Sequence, residues 1–144
     1  MIAIPEKKIR LRIILPAETK VDEPVDMVIM RCTTGDLGVL PGHEPRSAVL
    51  RMGIVRILSD GVERRIAVYG GLAVIKDDTL SILTNEAEWP EEVDLARAEA
   101  NREHAERRLH EKTDDREILN DQLLLRRALV QIEVSAYAYA QQDE

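Results

Sequence analysis

The stretch GIVRILSDGVERRIAVYGGLAVIKDDTLSILTN (Gly53–Asn85) decides the fold class. Short apolar runs in it are separated by turn chemistry. Ser59-Asp60-Gly61, between VRIL and VERRIAV, is a strong hairpin signal, because Asp and Gly tolerate the backbone angles of a tight reversal. Lys76-Asp77-Asp78 is a weaker version of it, and Gly53, Gly70 and Gly71 fall among the runs as turns or close strand crossings. Upstream, Ile9, Leu11 and Ile13 alternate with Arg10 and Arg12, the two-residue period of a strand with one face in water. Eight or more short strands without intervening helices predict a mainly β sandwich or flattened barrel over residues 1–88, rather than a parallel α/β sheet.

The pattern changes around Trp89-Pro90. From Glu91 onward the chain contains neither Gly nor Pro and is rich in Ala, Glu, Arg and Leu. Asp94 is placed to cap a first helix, whose stripe Leu95, Ala98, Ala105 and Leu109 is interrupted by Arg102. A second stripe runs through Ile118, Leu125, Leu129, Ile132 and Ala136, flanked by Leu119, Leu123 and Val130. Apolar residues vanish between Glu111 and Glu117, so residues 89–144 read as a two-helix antiparallel hairpin; one continuous helix is the competing reading.

Composition narrows the function. The chain has 144 residues, 44% of them hydrophobic and 33% charged, which excludes a large multidomain enzyme and a wholly disordered chain. Phe is absent and aromatics make up 3%, leaving few platforms for stacking bases; the net charge of −7 would repel a phosphate backbone, so nucleic acid is not an expected partner. Cys32 is the only cysteine, so neither an internal disulfide nor a thiolate zinc site is expected, nor any other metal site. No apolar run is long enough for a membrane span and no export signal is recognisable, so membrane association is expected only through a partner.

Catalytic constellations are weak. His104 and His110 lie six residues apart on a helix and do not converge, the serines lack an adjacent base, and no phosphate-loop pattern is present. No catalytic residue is assigned. The segment with specificity is GDLGVLPGHEP (Gly35–Pro45), in which Pro41-Gly42 makes a turn that presents His43 and Glu44. It reads either as a plain strand connection or as a rigid recognition loop carried by a sheet scaffold. A small stand-alone enzyme pairing His43 with Asp36 or Glu44 is the reading from a different class.

The whole chain resembles the epsilon subunits of F-type ATP synthases. That family has a loop TxG(D/E)(L/F)G(I/V)LPGHxP, matched by Thr33, Gly35, Asp36, Leu37, Gly38, Val39, Leu40, Pro41, Gly42, His43 and Pro45. Met52-Gly53-Ile54-Val55-Arg56-Ile57 resembles the strand start PG(M/V)(V/L)RI, with Met for Pro, and Gly70-Gly71-Leu72-Ala73-Val74-Ile75 resembles GGxxEV, with Val74 where an acid is usual. The linker and first helix are similar to AExxxDIDxxRAxxA through Ala87, Glu88, Glu92, Val93, Asp94, Arg97 and Ala98, with Asn101 for the last alanine.

The resemblance implies a non-catalytic central-stalk rotor subunit that couples the proton-driven c-ring to the gamma shaft, with a C-terminal hairpin that restrains ATP hydrolysis. It implies that Asp36 faces the c-ring, that His43 lies beside the gamma subunit, and that the alpha/beta catalytic head is a partner when the hairpin extends. It places the protein at the cell membrane, peripheral and on the cytoplasmic side, in a bacterium. No cofactor is required; a weak regulatory ATP site would fall on Asp94, Arg97 and Arg127. His104 and Gln131 stand where nucleotide-binding members have arginine, and neither supplies an arginine's full positive charge.

Overall fold

The computed structural model describes residues 7–111 and 114–142. The chain divides into two compact units, Met1–Ala87 and Glu88–Glu144.

The first unit is an eight-stranded β-sandwich. Its strands are β1 (Ile9–Ile14), β2 (Thr19–Val25), β3 (Met27–Cys32), β4 (Gly35–Val39), β5 (Arg46–Ser59), β6 (Val62–Lys76), β7 (Thr79–Leu83) and the two-residue β8 (Ala87–Glu88), which pairs with β6. The spatial order is β2-β1-β7-β6-β5-β3-β4. Alternation along the strands does what the sequence predicts: Ile9, Leu11 and Ile13 are buried while Arg10 and Arg12 face outward. They join Val28, Met30, Ile57, Ile66, Val68, Ile75, Leu80 and Ile82 in an aliphatic core. Burying each large aliphatic side chain contributes about 1.5–3 kcal/mol.

Both predicted reversals are present and tight. Asp60 and Gly61 have φ of 52° and 79°, and Asp77 and Asp78 have 51° and 55°, so each two-residue loop has the left-handed pair of a type I′ turn. The strands are not all short, however. β6 runs without interruption through Gly70-Gly71, and β5 through Gly53, which corrects the reading of these glycines as turns. Gly71 marks a close crossing instead: its φ is 137°, and a Cβ there would sit 2.2 Å from the Leu83 carbonyl oxygen. A further feature, unannounced by local patterning, is that β1 pairs parallel with β7 while its other edge pairs antiparallel with β2.

Charge clusters tie turns and strands together on the surface. Lys8 bridges Asp26 and Asp60, and Asp26 also accepts the Asp60 amide at 2.8 Å. Glu63 receives Arg56 Nε at 3.0 Å and Arg65 Nε at 2.9 Å, and these partners, Arg56 first, hold its carboxyl below the usual carboxylate range. A lowered folded-state pKa contributes stability that is complete above the ordinary glutamate value and is lost as pH falls through the lowered one. Glu63→Gln should therefore cost roughly 1 kcal/mol at pH 7 and progressively less as the pH falls into the acid range. Thermal unfolding across that pH range measures it, and parallel acid profiles for variant and parent would refute the assignment.

The second unit opens with a single 3-10 turn, Pro90–Glu92, closed by Trp89 N donating to Glu92 Oε1 at 2.8 Å. Helix α1 (Leu95–Glu111) starts where the sequence predicts, with Asp94 Oδ1 accepting the Arg97 amide at 3.1 Å. Helix α2 (Asp115–Gln142) is capped in the same way by Asp114, which accepts the Arg116 amide at 2.9 Å. The two helices pack as an antiparallel hairpin, Arg108 near the end of α1 donating to Asp121 near the start of α2 at 3.2 Å. Residues 112 and 113, within the predicted break, lie outside the described residues.

The buried face of α2 differs from the predicted stripe. Asp121, Ala128 and Ser135, at intervals of seven, are buried along one side of α2, and Val130 and Val134 on its opposite side, whereas Leu129 is 47% exposed and Ala136 faces outward. The reason is close approach: with Ala98 and Ala105 as the buried residues of α1, small side chains let two helices meet where leucines would hold them apart. Arg102, the interruption in the first stripe, has its Nε buried without a hydrogen-bond partner among the described residues, as has the Ser135 hydroxyl.

Candidate functional site

The recognition loop is assembled from two hairpin ends. Residues Gly35–Val39 form β4, in register with β3 so that Asp36 lies opposite Arg31 and Val39 opposite Val28. Val39 is fully buried and anchors the strand, while Asp36 is exposed. Beyond the anchor the chain reverses through Leu40-Pro41-Gly42-His43. The His43 amide donates to the Leu40 carbonyl at 3.2 Å and Gly42 has φ 83°, which with Pro at the second position makes a type II turn. The Gly42 amide donates to Asp78 Oδ1 at 2.7 Å, across 36 residues of sequence.

The geometry separates the two residues singled out in the loop. Asp36 lies within β4, near its first residue, and His43 lies in the turn beyond its far end. His43 Nδ1 sits 2.8 Å from the Glu44 backbone carbonyl, which can only accept, so Nδ1 is the donor and, in the neutral ring, Nε2 is the acceptor. The bond is to a carbonyl, not to the carboxylate of Asp36 or Glu44, and a His–carboxylate dyad of the kind a stand-alone enzyme would need is not formed here. Cys32 is buried in β3, and burial pushes its thiol above the ordinary range, the setting of a packing residue rather than a nucleophile.

The residues proposed for nucleotide are distributed over the hairpin. Asp94 is committed to capping α1, and Arg97 is exposed one turn on. Arg127 lies 4.0 Å from Glu88 Oε1, and Gln131 Nε2 donates to the same oxygen at 3.0 Å. Arg127 and Gln131, one turn apart on α2, thus meet at the Glu88 carboxylate, a pairing across about 40 residues that the linker motif does not announce. His104 is exposed on α1. An anion reaching Arg127 would have to share it with Glu88. Among the described residues, no group of three or more His, Cys, Asp or Glu side chains could hold a metal ion, and no helix is long and apolar enough to cross a membrane.

Comparison with known proteins places both units. Residues 8–90 match the family described as ATP synthase, Delta/Epsilon chain, beta-sandwich domain, and residues 91–136 match the corresponding long alpha-helix domain. The chain is 38% identical over 129 residues to the ATP synthase epsilon chain of Bacillus velezensis, covering 90% of this chain and 98% of that one. It is 40% identical over 112 residues to that of Bacillus subtilis, covering 78% and 85%. Among solved structures, a chain in the Euglena gracilis mitochondrial ATP synthase (OSCP/F1/c-ring) superposes with a TM-score of 0.79 at 27% identity, over 93% of this chain and 84% of that one. With both domains matched in order and whole relatives covered nearly end to end, the chain belongs to the ATP synthase Delta/Epsilon family, as a non-catalytic epsilon-type subunit.

Proposed function

We propose that the chain works in the central stalk of a bacterial ATP synthase, coupling the proton-driven c-ring to the gamma shaft, and that its hairpin restrains ATP hydrolysis. The observation that carries the coupling role is the loop 35–45. It is exposed at Asp36 yet fixed by the buried Val39, the turn bond from His43 to Leu40 and the Gly42–Asp78 bond. A surface pinned in this way docks without a large ordering cost. Asp36 then offers a carboxylate to basic or hydrogen-bonding groups on the ring, and His43 Nε2 offers an acceptor to the gamma subunit. The protein sits peripherally on the cytoplasmic face of the cell membrane, held there through the complex.

Asp36→Lys tests the coupling. The variant should fold with stability within about 0.5 kcal/mol of the parent, because the position is exposed. Reconstituted with the remaining subunits, it should lose most proton-driven ATP synthesis and co-sediment poorly with the ring. Unaltered coupling and assembly would place Asp36 away from the contact.

Regulatory ATP binding belongs to the same proposal, as a weak site on the hairpin involving Asp94, Arg97 and Arg127. His104→Arg together with Gln131→Arg should tighten ATP binding to the isolated subunit by about tenfold or more, since each restores a phosphate-facing charge. Calorimetric titration decides it. Equal affinity in parent and double variant would remove positions 104 and 131 from any phosphate site.

A further inference from the structure

The β6–β7 turn is built in an unfavourable way. Asp77 and Asp78 both adopt left-handed φ, where Gly or Asn is the usual choice for at least one of the pair. Asp78 makes contacts that a glycine could not. Its Oδ1 accepts the Gly42 amide at 2.7 Å, and its Oδ2 takes Lys7 Nζ at 3.0 Å; the backbone carbonyl, which any residue supplies, accepts the Arg10 amide at 2.9 Å. Gly42 is itself at φ 83° with open space around it, so no side-chain packing at that residue holds the turn in place.

We propose that Asp78 is the positioning residue of the docking loop: its carboxylate, steadied by Lys7, holds the Gly42 amide and thereby sets where His43 is presented to the partner subunit. The role rests on the reading of loop 35–45 as a docking surface and adds to it the residue that fixes the loop from a different hairpin. Lys7 first, and then the Gly42 amide, keep the Asp78 carboxyl below its ordinary range, in keeping with a group that works as the charged acceptor. The strain of a second left-handed aspartate is retained because the side chain is used elsewhere.

Two substitutions separate the side chain from the turn. Asp78→Gly creates Asp-Gly, the preferred pair for a type I′ turn, while removing the carboxylate; Asp78→Asn keeps an acceptor oxygen and tolerates the same φ. In the full chain, Asp78→Gly should unfold at the parent's temperature or higher, yet its Gly42 amide should exchange hydrogen about tenfold faster, and its affinity for the gamma subunit should fall about tenfold. Asp78→Asn should restore most of both, and His43→Ala should weaken docking with Gly42 exchange unchanged. Parental Gly42 exchange in Asp78→Gly would overturn the proposal. So would parental docking by Asp78→Gly beside weakened docking by His43→Ala. Parental docking by His43→Ala would show instead that the docking reading itself is at fault, and the proposed role would fall with it even if Gly42 exchange had accelerated.

Discussion

Gly71→Ala should destabilise the sandwich by about 4 kcal/mol, far more than a methyl group usually costs. Two penalties coincide at this position. The φ of 137° lies where L side chains rarely go, and the new Cβ would meet the Leu83 carbonyl oxygen at 2.2 Å, a backbone atom that cannot swing aside. Relief requires β6 and β7 to separate where Leu72 pairs with Leu83, next to the Thr84 hydroxyl that donates to the Gly70 carbonyl at 2.7 Å. For a unit of this size the loss corresponds to a drop of roughly 15–30 °C in the midpoint of thermal unfolding. Gly61→Asn is the control, since that glycine is left-handed with open space around it, and should change stability by well under about 1 kcal/mol. A midpoint for Gly71→Ala within a few degrees of the parent's would mean that the crossing is looser than described.

Removing residues 91–144 should raise ATP hydrolysis by the assembled enzyme severalfold and leave ATP synthesis in place. The hairpin is closed by few strong contacts. Its buried contact residues on α1 are two alanines, the interface includes the Arg108–Asp121 pair, and Arg102 Nε and the Ser135 hydroxyl are buried without partners among the described residues. Small side chains bury little area and orphaned polar groups cost free energy, so opening the hairpin is inexpensive. Meanwhile Leu119, Leu123 and Leu129 of α2 are 56%, 41% and 47% exposed, apolar surface that an alternative partner could cover. In the proposed brake the segment exchanges between two covers differing by a few kcal/mol, so deleting it should remove the inhibited state. Equal hydrolysis rates with and without the hairpin, measured under uncoupled conditions, would reject the brake.

What the sequence made legible was whatever is decided within a few residues. The Ile9–Leu11–Ile13 alternation, the reversals at Asp60-Gly61 and Asp77-Asp78, and the capping by Asp94 all appear as read, because each depends on local backbone preference. For Gly70 and Gly71 the sequence left turn and close strand crossing open, and Gly71 proved to be a crossing, a choice made by the neighbouring strand rather than by local pattern. The α2 stripe failed at Leu129 for a related reason: periodicity finds the most apolar face, whereas tight helix contact selects the smallest one, here including Ala128 and Ser135. At the candidate sites, Asp36 and His43 could be located from their motif. The bonds that Asp78 and Glu88 make could not be read there, because their partners Gly42 and Gln131 are 36 and 43 residues away.

The parallel pairing of β1 with β7 has a consequence during synthesis. Arg10 to Ile14 meet their partners only at Thr79 to Leu83, so the first strand must wait for some seventy further residues before one of its edges is covered. Contacts so distant in the chain close late and slow folding. Until Leu83 has left the ribosome, β1 is paired only with β2, and an unpaired strand edge is a template for the wrong neighbour. Arg10 and Arg12, on the outward face of that strand, already have their counter-charge at that stage in Asp22 of β2, at 2.7 and 3.8 Å, so the exposed edge is left to its backbone groups alone.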